Sequence, residues 1–152
     1  MKRLLTLIIG LEEIADENDT IVKYINFHGK LASKKGMAYE KDGETYIYMQ
    51  KGMKERQECK VFADETGHVY KGICHIWTLP NIADLFEERA HNWSATYRVS
   101  KEEYMKCMRN MHINSDYDMA EELEVEIDAI IRARKRYAAD GEFVTRSPEY
   151  YD

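Results

Sequence analysis

The sequence predicts an α+β fold: an N-terminal helix, a four- to five-stranded antiparallel meander sheet, and three C-terminal helices ending in a long amphipathic one. Three observations lead there. Apolar residues recur at helical spacing near both ends of the chain, alternating β-branched and aromatic residues flank the dipeptide Asp42-Gly43, and after Trp77 the apolar period changes from 2 to 3.6. With 152 residues, 44% of them apolar and 33% charged, and only 2 prolines, the chain reads as a single globular domain over 1–152 with an irregular tail at 142–152.

Leu4, Ile8, Leu11 and Ala15, with Leu7 and Ile14 beside them, predict a first helix over about 3–16. Gly10 weakens it by about 1 kcal/mol relative to alanine, and a strand over Leu4 to Ile9 is the competing reading. Lys2 and Arg3 ahead of the run Leu4 to Leu11 imitate a secretory leader. No small-residue cleavage pattern follows, however, and the run is far short of the ~20 residues that span a bilayer. The expected location is cytoplasmic, with no membrane partner. Cys59, Cys74 and Cys107, odd in number and without CxxC spacing, fit reduced buried thiols better than a disulfide framework.

The segment "TIVKYINFH" predicts a strand, with Ile21, Ile25 and Phe27 on one parity. "MAYEKDGETYIYMQ" predicts a hairpin, because Asp-Gly accepts the positive φ values of a type I′ turn. A two-residue loop then pairs Lys41 with Glu44, Tyr39 with Tyr46 and Met37 with Tyr48, all on one face, leaving Ala38, Ile47 and Met49 on the other. A second hairpin is expected from "ECKVFAD" through "ETG" to "HVYKGICHIW". Next comes a helix with Thr78 as cap, Pro80 in its first turn and a stripe of Ile82, Leu85, Phe86, Arg89, Ala90 and Trp93. "ATYRV" is read as a short strand. Ser100 and Glu103 form a capping box for a helix whose inner face is Tyr104, Cys107, Met108 and Met111. One long helix is expected from Asp116 to about Asp140, acidic first and basic last, stopped by Gly141.

Candidate chemistry is sparse. No phosphate-cradling glycine loop and no GxSxG, HExxH or EF-hand pattern occurs. His68 and His75 have opposite parity on one expected strand, and neither Cys74-His75 nor Cys107 with His112 has ligand spacing, so no metal, no cofactor and no catalytic residue is assigned. The acid series Glu121, Glu122, Glu124, Glu126 and Asp128 reads as a solvated helix face. Arg132 and Arg136, one turn apart, are candidates to grip a phosphate or carboxylate.

The sharper candidate is the phenolic face. Three tyrosines in a core would each need a hydrogen-bond partner, whereas Ala38, Ile47 and Met49 make an adequate inner wall; Tyr39, Tyr46 and Tyr48, with Met37, are therefore expected to face outward as a partner-binding patch. The functional expectation is a small non-enzymatic binding protein, an inhibitor or adaptor of phage or mobile-element character, using this face and the acidic helix. Its expected partner is another protein. A net charge of −6 argues against nucleic acid. A small phosphorylated ligand at Arg132 and Arg136 and a homo-oligomer built on the last helix are secondary expectations. The rival from another class is a small hydrolase or nuclease using His28, His68, His75 or His91 gathered by the fold.

Overall fold

A computed structural model describes residues 2–73 and 79–140. Its internal contacts divide the chain into two compact units, the first ending at His91 and the second beginning at Asn92. Among the described residues are six α-helices and a three-stranded mixed sheet.

The first unit opens with α1 (Lys2–Glu17), where the predicted one buries Leu4, Ile8, Leu11 and Ala15. Asn18 closes it, its amide and its side-chain Nδ2 both donating to the Ile14 carbonyl, and Asp19 turns the chain at a φ of 52°. Strand β1 (Thr20–Ile25) follows, then a 3-10 turn (Gly29–Leu31) and the hairpin of β2 (Gly36–Lys41) with β3 (Glu44–Gln50). Asp42 and Gly43 take φ values of 52° and 79°, as a type I′ turn requires. The predicted register is present: Lys41 pairs with Glu44, Tyr39 with Tyr46 and Met37 with Tyr48.

The sheet corrects the expected meander. Its order is β1-β3-β2, and β1 runs parallel to β3. The segment 26–35 carries the chain past one strand position, so β3, whose Ile47 and Met49 are 1% and 0% exposed, occupies the centre. The expected second hairpin is instead a helix, α2 (Glu55–Lys71), followed by residues 72–73, which form no strand; its last residues, 74–77, lie outside the described residues. The β-branched and aromatic residues of "CKVFA" lose to a longer helical pattern, with Cys59, Phe62, Ala63, Thr66 and Gly67 buried along one stripe. Glu55 and Glu58 in the first turn and His68 and Lys71 in the last complement the helix dipole. Burial of Phe62 alone is worth about 1.5–3 kcal/mol. α2 lies against β2 and β3, and α1 against α2 and β1. A Cβ on Gly36 would stand 2.5 Å from Val61 of α2, which places the helix on the sheet face that carries Ala38, Ile47 and Met49.

Helix α3 (Pro80–Arg98) begins at the predicted proline but runs through "ATYRV", so no strand forms there. Within it the Thr96 hydroxyl donates back to the Asn92 and Trp93 carbonyls. On the expected stripe Ala90 is buried, whereas Ile82 and Leu85 are exposed.

In the second unit, α4 (Lys101–Arg109) opens on the predicted capping box: Ser100 Oγ accepts from the Glu103 amide, and the Glu103 carboxylate accepts from the Ser100 amide. Tyr104 and Cys107 are buried, but the helix ends before Met111, which is 89% exposed. The expected long helix is two, α5 (Asp116–Glu122) and α6 (Ile127–Ala139). Val125 is the reason. Its amide reaches back to the Ala120 carbonyl at 2.9 Å and that of Glu124 to Glu121 at 3.3 Å, a Schellman stop with Glu124 at a φ of 54°. The bend buries Val125 with Leu123, Met119, Ile130 and Tyr104 in this unit's core, which a straight helix would deny it. Thr78, Gly141 and the tail at 142–152 lie outside the described residues. No helix among the described residues is long and apolar enough to cross a membrane.

Candidate functional site

Strand alternation sorts the sheet into two unlike faces. Ala38, Ile47 and Met49 point to α2, an apolar wall that asks for no polar partner. The opposite face presents, row by row across β1, β3 and β2, Ile21 beside Tyr46 and Tyr39, then Lys23 beside Tyr48 and Met37. Tyr39 is 45% exposed, Ile21 is exposed, and Tyr46, Tyr48 and Met37 are half-buried by one another. The Tyr46 and Tyr48 rings stack with centroids 5.8 Å apart and planes 11° from parallel. Lys23 Nζ stands 5.8 Å from the Tyr46 centroid, within cation–π range, and the Tyr46 hydroxyl donates to the Glu44 carboxylate. That hydrogen bond is the main reason the phenol's pKa is raised. The result is a preordered aromatic surface whose rings lose little further freedom when covered.

Charge is also sorted, in a way the whole-chain balance conceals. Residues 20–54 hold seven lysines against only Glu40, Asp42 and Glu44, within a chain of net charge −6. Lys23 lies on the tyrosine face itself, and Lys30, Lys34 and Lys35 lie in the segment joining β1 to β2. A windowed charge count over the sequence would have found this.

The histidines part company. His28 is exposed at the start of the 3-10 turn, His112 is exposed after α4, and His75 lies outside the described residues. His68 and His91 do converge. Glu87 of α3 places one oxygen 3.3 Å from His68 Nε2 and the other 3.4 Å from His91 Nε2, while His91 Nδ1 faces Asp64 Oδ1 at 3.5 Å and Lys60 Nζ reaches Asp64 Oδ2 at 2.8 Å. The Asp64 contact raises the His91 pKa against the opposing effect of burial. Carboxylates at both nitrogens favour the protonated ring, the form that cannot act as a base. Once α2 is known to be helical the signal is plain: Asp64 with His68, and Glu87 with His91, are acid–histidine pairs at i,i+4. Among the described residues no group of three or more His, Cys, Asp or Glu is placed to hold a metal ion. Cys59 and Cys107 are buried, and Cys74 lies outside the described residues.

The two arginines do not share a ligand position. Arg132 Nε donates to Asp128 at 2.6 Å and its Nη1 to Asn92 at 2.9 Å, while Arg136 is exposed and its Nε lies 3.8 Å from Asp140. The acid series is split by the bend: Glu121 and Glu122 are exposed on α5, and Glu126 begins α6 and holds Arg98, a pairing the sequence reading missed. No protein-family model, curated protein or solved structure matches this chain.

Proposed function

We propose that this protein works by binding, as an inhibitor or adaptor would, and that the outer face of its sheet docks an acidic segment of another protein. The observation that carries the reading is the stacked Tyr46–Tyr48 pair, with Tyr39 and Met37 beside it, turned away from the helix-covered side. Tyrosine and methionine supply contact area that is both apolar and adaptable, the composition of binding hot spots. The lysine excess over residues 20–54 selects the partner's sign, steering an acidic surface toward the face and weakening with salt. A protein segment suits this better than a polyphosphate, because the rest of the chain carries the acidic excess and repels a long polyanion.

Substitution of Tyr39, Tyr46 and Tyr48 together by serine tests it. The expected variant stays folded, its stability lowered by about 0.5–1.5 kcal/mol for the lost Tyr46–Tyr48 stack beyond the area it buries, and loses the protein that the wild-type chain co-purifies from extract. Retention of that same protein by the folded variant contradicts the reading.

A second reading, hydrolysis by fold-assembled histidines, has one observation in its favour, the meeting of His68 and His91 at Glu87. It is the weaker one, because His91 is committed to carboxylates at both nitrogens. Capture of a phosphorylated ligand by Arg132 and Arg136 would require both guanidinium groups to leave the carboxylates of their own helix.

A further inference from the structure

Helix α3 packs on α2 at Gly67, where a Cβ would stand 2.5 Å from the Ala90 carbonyl oxygen, and just past the end of α2 a Cβ on Gly72 would stand 3.3 Å from the Phe86 ring. Ionisable groups surround this contact. From α2 come Lys60, Asp64, Glu65 and His68; from α3 come Glu87 and His91; and from β2 and the segment before it come the Ala38 amide and Lys34, both acting on Glu65. Both ring nitrogens of His91 face a carboxylate, one on each helix. Only the imidazolium donates to both; a neutral ring turns a lone pair toward one of them.

We propose that the α2–α3 contact is a proton-operated latch, fastened when the His91 imidazolium bridges Asp64 and Glu87 and loosened when that ring is neutral. Glu65 works in the same direction. Burial first, and then the nearby charges of Asp64 and Glu87, push its carboxyl up to about 7 against the opposing Ala38 amide and Lys34. As pH rises, Glu65, which lies against Gly36 and accepts from the Ala38 amide of β2, gains a negative charge felt by Asp64 and Glu87, and His91 loses its positive one. Both folded-state pKa values are raised, so the folded form holds more protons than the unfolded chain, and the stabilisation present at mildly acidic pH is lost as pH rises through them.

The test is an NMR titration of the full chain from about pH 5 to about pH 9, following the histidine ring carbons and the backbone amides of α3 before residue 92. The expected result is that His91 titrates above the ordinary histidine value. The Glu87 and Ala90 amides should shift with the same midpoint, and hydrogen exchange in that stretch, corrected for intrinsic rate, should quicken above it. Asp64→Asn should lower the midpoint and shrink the amide shifts. Glu87→Gln, at a half-exposed position that leaves the fold intact, should do the same. The latch is overturned if His91 titrates at the ordinary value, if the α3 amides ignore its titration, or if both variants leave the midpoint in place.

Discussion

The guanidinium of Arg98 grips the carboxylate of Glu126 through two hydrogen bonds, 2.7 Å from Nη1 and 2.8 Å from Nη2, while its Nε donates to Ser94 Oγ at 3.2 Å. The arginine side chain is 4% exposed and the glutamate 32%, so the two partners are unequally replaceable. Removal of Glu126 takes the carboxylate from a buried charge, whereas removal of Arg98 leaves a carboxylate that water can reach. Glu126→Leu is expected to cost about 3 kcal/mol in urea unfolding, and Arg98→Met distinctly less. Equal losses would contradict this account of the pair.

Gly67 sets two effects of opposite sign against each other. Alanine is favoured over glycine inside a helix by about 1 kcal/mol, yet here the new methyl would meet the Ala90 carbonyl oxygen at 2.5 Å, a backbone atom that cannot swing aside. Overpacking of this kind costs about 1–3 kcal/mol. Gly67→Ala is therefore expected to lower the melting temperature despite its better helix propensity.

The bend between α5 and α6 places a non-glycine residue in the left-handed region, Glu124 at a φ of 54°. That conformation costs an L-residue about 1–2 kcal/mol, part of which glycine returns as lost backbone freedom. Glu124→Gly is expected to raise stability by up to about 1 kcal/mol, and Glu124→Val to lower it. Thermal denaturation of the two variants beside the wild type measures both.

Glu65 predicts a pH dependence of stability. Burial pushes its carboxyl up to about 7 in the folded chain from a reference of 4.5, so folding favours the protonated form, and ionisation above neutrality weakens the fold. Glu65→Gln should match wild type near pH 5 and exceed it near pH 8 by on the order of 2 kcal/mol. Parallel pH profiles for the two proteins would contradict the assignment.

Legibility followed the range of the interactions involved. The Asp42-Gly43 turn, its register and the Ser100–Glu103 box are fixed within a few residues, and the sequence shows all of them. α1 was legible because its stripe runs uninterrupted from Leu4 to Ala15. α2 was obscured by Gly67, which looks like a turn residue until Ala90 is seen against it. The insertion of β3 between β1 and β2 rests on non-local pairing that no short pattern announces. The α5–α6 bend is driven by burial of Val125, a tertiary effect that overrides the helical propensity of "EELEVE". At the candidate site, alternation put the tyrosines on one face and the apolar Ala38, Ile47 and Met49 opposite pointed that face outward, but averaging charge over the whole chain hid the lysines around them.

The claim on which the functional account rests is that the tyrosine face is where a partner sits. Hydroxyl-radical footprinting, read by mass spectrometry on the protein alone and in complex with the protein it captures, reports on those side chains directly. In the complex Tyr39, Tyr46, Tyr48 and Met37 are expected to become protected while the exposed Met111 and Tyr117 stay as reactive as before. Unchanged labelling of the three tyrosines, with protection elsewhere on the chain, would contradict it.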